Sequence, residues 1–257
     1  MFLAQQGKTR LASRIFSSLM WYTRRDGLQL RTIVKDESMA TVFLLGDSTC
    51  ANKRMETWPE TGWGMCFDSF LAGGWDLDNR AVNGLSTRSA IASGVYGAML
   101  ENVCKGDWVV IQFGHNDAKE EERRHTDPWG SYQENLRRMV GEIREKGGNP
   151  VILSSIERRR FDGDDALATH GEYPAAAKAV ADELSVRFVP MHELTRQLYQ
   201  RLGPEGSRRL FNQLPAGTWP NYPEGKEDNT HLSRYGAQSI AGMIATQLRG
   251  NVPFIWG

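Results

Sequence analysis

The feature that most constrains this chain is a repeated unit: a short apolar run, a stop at glycine beside polar residues, then a longer stretch with helical spacing. Thr41 to Leu45 is a continuous apolar run that ends at Gly46-Asp47-Ser48-Thr49, and it reads as a buried parallel strand. Trp108 to Phe113 is the clearest strand and ends at Gly114-His115-Asn116-Asp117. Asp78 to Asn83, Pro150 to Ser154 and Arg187 to Pro190 are further strand candidates. Between them lie helical patterns at Gly62–Leu71, at Thr87–Val103 with a break near Gly94, at Trp129–Lys146 and at Tyr173–Leu184. In the third of these, Tyr132, Leu136, Met139, Val140 and Ile143 recur at three- and four-residue spacing. Helices at about 191–202 and 233–248 complete the series. Strands alternating with helices predict an α/β fold, a parallel sheet covered on both faces. Segment 203–231, with Pro204, Pro215, Pro220 and Pro223, reads as one long loop of the kind that often carries function.

Composition narrows the class. The 257 residues carry 31 Lys+Arg and 31 Asp+Glu, so the formal net charge is zero. Nucleic acid as the main partner is therefore not expected, because phosphate binding draws on a basic excess. No run of 18 or more apolar residues occurs, so no membrane helix is expected. The three cysteines, Cys50, Cys66 and Cys104, form no C-x-x-C pair and predict neither a disulfide framework nor structural zinc. Residues 1–38 are rich in Arg and Lys and lack a clean secretory core, so they read as a poorly ordered or non-native extension before a single domain at 39–257. A cytoplasmic location follows as an expectation, and the oligomeric state is not legible.

In an open α/β sheet, ligands bind beyond the carboxyl ends of the strands. That rule brings Ser48, Gly84 and Asn116 to one rim, with Asp228-Asn229-Thr230-His231 arriving from far downstream. A serine hydroxyl needs a base to become a nucleophile, and His231 is the best candidate because imidazole titrates near neutral pH. Asp228, three residues earlier, can orient it; in a helical turn i and i+3 share a face. Backbone N–H groups of Ser48 and Gly84 and the Asn116 amide supply three donors for a developing oxyanion. Asp47 and Asp117 are expected to organise turns. No third and fourth ligand accompanies His115 and Asp117, so neither metal nor cofactor is expected.

These blocks, Gly46-Asp47-Ser48, Gly84, Gly114-His115-Asn116-Asp117 and Asp228-Asn229-Thr230-His231, resemble those of SGNH (GDSL-type) hydrolases over about residues 41–248. Gln112 to Asp117, Arg159-Arg160-Phe161-Asp162 and Gly225 to His231 look like the rhamnogalacturonan acetylesterase branch. The resemblance implies a flavodoxin-like three-layer α/β/α sandwich with a five-stranded parallel sheet. It implies the same roles for Ser48, Gly84, Asn116, Asp228 and His231, and deacetylation of pectin-derived oligosaccharides. Arg88, Arg158, Arg159 and Arg160 are candidates to pair with galacturonate carboxylates, and His115 to order its loop or line the acyl pocket. Trp219 and Tyr222 either contact sugar rings or pin the long loop. The alternatives are an esterase of the same type acting on other acetylated sugars or small acyl esters, a lipid-directed esterase or thioesterase, and an inactive carbohydrate-binding protein.

Overall fold

The computed structural model describes residues 39–256; the expectation for residues 1–38 falls outside them. Five parallel strands form the central sheet: β1 (Ala40–Gly46), β2 (Trp75–Asn79), β3 (Trp108–Phe113), β4 (Asn149–Ser154) and, after a small β5–β6 ribbon (Phe161–Asp162 and Asp165–Ala166), β7 (Arg187–Val189). Their order is β2-β1-β3-β4-β7. The order reverses between β1 and β3, and a crevice at such a switch point is where an open α/β sheet receives ligands.

Alternation along each strand builds two cores. Val42 and Leu44 of β1, Val110 of β3, and Val151 and Leu153 of β4 join one cluster. Phe43 and Leu45, Val109, Ile111 and Phe113, and Ile152 join the other. Side chains of successive strand residues point to opposite faces, so a sheet covered on both sides needs apolar residues at every position. The second core is closed by helices α1 (Thr87–Ala92), α2 (Val95–Leu100), α3 (Ser131–Glu145) and α4 (Tyr173–Glu183). The first is closed by α5 (Met191–Ser207) and α6 (Arg234–Leu248), together with Trp63 and Phe67. Gly94 separates α1 from α2, where the sequence places a break.

Three expectations need correction. The strand expected at Asp78–Asn83 lies earlier, at Trp75–Asn79, where its backbone pairs in parallel with Ala40–Leu44 of β1. Residues Trp63–Phe70 form a 3-10 helix instead of an α-helix. The N–H groups of Trp63 and Gly64 donate to the carbonyls of Thr49 and Cys50, which ties the segment to the turn after β1. Segment 203–231 is largely structured. The helix is interrupted at Gly203 and resumes with Pro204 to Ser207, because proline is tolerated in a first helical turn. An antiparallel pair follows, β8 (Phe211–Leu214) and β9 (Lys226–Leu232). Among the described residues no helix is long and apolar enough to cross a membrane.

Candidate active site

Ser48 sits in the turn that leaves β1. Asp47 shapes this turn: its Oδ1 accepts from the Thr49 N–H and hydroxyl, both at 2.9 Å. Gln112, from the end of β3, supports it from below. Its Oε1 accepts from Trp63 Nε1 at 2.8 Å and lies 3.2 Å from the Thr49 hydroxyl, whose single hydrogen the Asp47 carboxylate takes at the shorter distance.

His231 reaches Ser48 from β9. Its Nε2 lies 3.0 Å from Ser48 Oγ, and its Nδ1 lies 2.8 Å from Asp228 Oδ2. An ionised carboxylate only accepts, so the hydrogen sits on Nδ1 and the Nε2 lone pair faces the serine O–H. The i, i+3 relation is not made by a helical turn, as the sequence suggests, but by a strand irregularity. The β8–β9 register shifts between Phe211 and Gln213, opposite Leu232 and Glu227. Within that bulge Asp228 Oδ1 accepts from the N–H groups of Thr230 and His231, both at 2.8 Å. This folds the backbone so that one carboxylate holds both the main chain and the ring of the residue three positions on.

Asp228 is also held electrostatically. Burial favours its neutral form, but the hydrogen bond and charge of His231 and the two N–H donors outweigh this, and its carboxyl stands well below the usual range. Lys226 adds an ammonium 3.1 Å from Asp228 Oδ2 and 3.3 Å from Glu60 Oε2. Glu60 in turn accepts from Lys53 at 2.6 Å. Burial opposes the charge on Glu60, yet His231, Lys53 and Lys226 bring its carboxyl below the usual value. Ligand-type atoms of Glu60, Asp228 and His231 lie within 4.8 Å of one another. The Lys226 cation already answers both carboxylates, so an added ion would have to displace it. Sequence reasoning missed Lys226 and Glu60. Lys226 and Asp228 share a face because i and i+2 do so on a strand, but nothing local marks that strand, nor Glu60.

The opposite side of Ser48 is built from Gly84 and Asn116. Gly84 has φ +80°, a region L side chains avoid. Its N–H and that of Ser48 donate to no other described residue. The Asn116 amide is buried and fixed by one donor to the Leu85 carbonyl at 2.9 Å, leaving its second N–H. Gly114, at φ +142°, starts the turn that presents it. Asp117 anchors this region: its Oδ1 accepts from the Thr87 N–H at 3.0 Å, the Thr87 hydroxyl at 2.6 Å and the Thr126 hydroxyl at 3.0 Å. Burial outweighs these bonds and pushes its carboxyl up to about 6.

His115 points away from a base role. Its Nδ1 meets His170 Nε2 at 3.0 Å, and His170 Nδ1 meets Glu157 Oε2 at 3.1 Å. Burial, helped by His170 and Arg158, holds His115 well below the usual imidazole value and hence neutral. His192 bonds Ser154 Oγ, and His125 the Lys119 carbonyl. Burial and Asp47 push the Cys50 thiol well up, away from nucleophilic thiolate.

Of the four predicted arginines, Arg88, Arg158 and Arg159 are engaged within the protein, whereas Arg160 is exposed. Arg158 donates to Thr230 Oγ1 at 2.9 Å and to the His115 carbonyl at 3.2 Å, tying the two halves of the site together. Arg159 donates to Ser207, to Asn229 and to the Pro204 carbonyl. Arg88 donates to the Glu122 carbonyl. The Tyr222 hydroxyl donates to Thr57 and its ring lies under Lys226, so it pins the loop, whereas Trp219 is exposed.

Residues 44–239 match the model of the GDSL-like lipase/acylhydrolase family. Over 205 residues the chain is 42% identical to the rhamnogalacturonan acetylesterase RhgT of Bacillus subtilis, covering 79% of this chain and 87% of that one. Among solved structures, protein YXIM from Bacillus subtilis superposes with a TM-score of 0.69 at 21% identity, over 82% of this chain; the match spans 56% of that longer protein. Axe2, an acetylxylan esterase from Geobacillus stearothermophilus, superposes with a TM-score of 0.59 at 17% identity, over 82% of this chain and 94% of that one.

Proposed function

The chain belongs to the GDSL-like lipase/acylhydrolase family, and from that premise we propose that it is a serine esterase that removes O-acetyl groups from rhamnogalacturonan-type carbohydrate. The observation that carries the reading is the continuous chain Ser48 Oγ, His231 Nε2, His231 Nδ1, Asp228 Oδ2, with contacts of 3.0 and 2.8 Å. The substrate class comes from the 42% identity to RhgT.

Ser48 Oγ attacks the acetyl carbonyl carbon while His231 Nε2 takes the hydroxyl proton. Charge gathers on the carbonyl oxygen, where the N–H groups of Ser48 and Gly84 and the free N–H of Asn116 receive it. The intermediate collapses, the sugar oxygen leaves with the proton from His231, and the acetyl group stays on Ser48. Water, deprotonated by His231, then releases acetate and restores the serine. Asp228 holds the tautomer and stabilises the imidazolium at each passage.

The test is acetate release by wild type and Ser48→Ala. The substrates are acetylated rhamnogalacturonan oligosaccharides, acetylated xylan oligosaccharides and p-nitrophenyl acetate. Preference for the first, lost in the variant, is the expected result. Equal turnover of both sugars would remove the pectin assignment, and full activity in Ser48→Ala would remove the nucleophile.

A further inference from the structure

Beside the esterase centre lies a second recess. A cleft of about 810 Å3 opens between the β8–β9 hairpin, the start of α6 and the segment at Trp58. Ser48 and His231 do not line it, but Lys226 does. The Lys226 ammonium is 3.1 Å from Asp228 Oδ2, so the cleft begins one side chain away from the Ser48–His231–Asp228 chain.

We infer that this cleft binds the uronate-bearing sugars that flank the acetylated residue of the substrate, an inference that rests on the esterase reading above. Three independent observations point to a sugar, and the second of them to an acidic one. The first is aromatic surface. Trp58 and Trp219 line the cleft and are 39% and 38% exposed, offering flat apolar faces to pyranose rings.

The second is charge. Four cations, Arg208, Arg209, Lys226 and Arg234, line the cleft against one carboxylate, Glu227. Lys226 is already answered by Glu60 and Asp228, and Arg208 by Glu227 at 3.6 Å. Arg209 stacks on the Tyr235 ring at 5.0 Å. Among the described residues neither Arg209 nor Arg234 has an ion pair, in a chain whose formal net charge is zero. A guanidinium fork left open in this way suits a planar carboxylate.

The third is Asn212. It lines the cleft at the β8 bulge and is buried, yet neither its Oδ1 nor its Nδ2 has a hydrogen-bond partner among the described residues. Buried amides are almost always paired, so one in the cleft wall with donor and acceptor both unpaired points to a ligand that brings both. A sugar hydroxyl does so. An acyl chain would leave Asn212 and Arg234 uncompensated.

Calorimetric titration of the full-length protein tests this. The ligand is the deacetylated galacturonate–rhamnose oligosaccharide, beside the same oligosaccharide with its carboxylates reduced to alcohols. Expected is saturable binding of the first and at least roughly tenfold weaker binding of the second, the size of one lost charge-assisted contact. Arg234→Gln is expected to weaken the uronate ligand roughly tenfold and leave the reduced ligand within about twofold. Asn212→Ala is expected to weaken both ligands without lowering the melting temperature, since it removes an amide that nothing inside the protein satisfies. Equal affinity for the two ligands, an equal effect of Arg234→Gln on both, or no binding of the uronate ligand would overturn the inference. The esterase reading fails separately, if wild type releases no acetate from any of the three ester substrates.

Discussion

Replacing Asp228 with asparagine changes one charge and almost no volume. Asparagine keeps an oxygen for the N–H groups of Thr230 and His231, both 2.8 Å away, so the local fold is expected to survive. The other atom becomes an NH2 group facing His231 Nδ1, where a carboxylate oxygen stood at 2.8 Å. A donor there forces the opposite tautomer: Nδ1 accepts, Nε2 carries the hydrogen, and the lone pair aimed at Ser48 is lost. The imidazolium formed in each step also loses its counter-ion. Charge centres about 4 Å apart at an effective dielectric near 20 are worth about 4 kcal/mol. That is about three decades in rate. The new NH2 group additionally meets the Lys226 ammonium, which lies 3.1 Å from the oxygen it replaces. We therefore expect Asp228→Asn to lower kcat by about a thousandfold, with KM nearly unchanged, in steady-state acetate release. The loss is expected to be smaller than for His231→Ala, where no base remains. A kcat within threefold of wild type would refute the assigned role, and so would a loss confined to KM.

Other outcomes follow from the same geometry. Asn116→Ala removes one oxyanion donor and is expected to cost about 3 kcal/mol of transition-state stabilisation, seen in kcat more than in KM; a pure KM effect would make Asn116 a ground-state contact. Gly114→Ala must adopt φ +142° and bring a Cβ to 2.6 Å from Ser155 Oγ. It is expected to destabilise by about 1–3 kcal/mol, read as a lowered melting temperature, and to reduce kcat by moving Asn116. Asp117 titrates at about 6 in the fold against an ordinary 3.8, so between these values the folded state binds more protons than the unfolded. Its contribution to stability therefore declines as pH rises from about 4 to 6. Asp117→Asn is expected to flatten the slope of denaturation midpoint against pH across that window, and an unchanged slope would contradict the placement. Asp228 acts in the opposite direction: its depressed carboxyl stabilises the fold above about pH 4 and loses that contribution as acid protonates it.

Four of the five strands of the central sheet and the two-sided core were legible because their physics is local; β2, with Asp76 and Asp78 in a mixed sequence, lies earlier than the Asp78–Asn83 expected. Val42 to Leu45, Trp108 to Ile111 and Val151 to Leu153 are apolar at every position, which only a sheet covered on both faces accommodates. The rim residues followed, since the carboxyl ends of such strands are where a ligand can reach backbone N–H groups. β8 and β9 were not legible. Lys226-Glu-Asp-Asn-Thr-His-Leu232 has no apolar alternation, and its strand character comes from pairing with Phe211–Leu214. The same pairing, broken by a bulge, decides how Asp228 and His231 share a face, which the spacing alone assigned to a helix. Tertiary structure also redistributed the charges: Arg158 and Arg159 look free in sequence but are bound within the fold, while Arg209 and Arg234 line the cleft unpaired. Residue types set which chemistry the chain could attempt. Only the fold settled which side chains spend their hydrogen bonds inside the protein and which keep them for a ligand, because that depends on contacts between segments far apart in sequence.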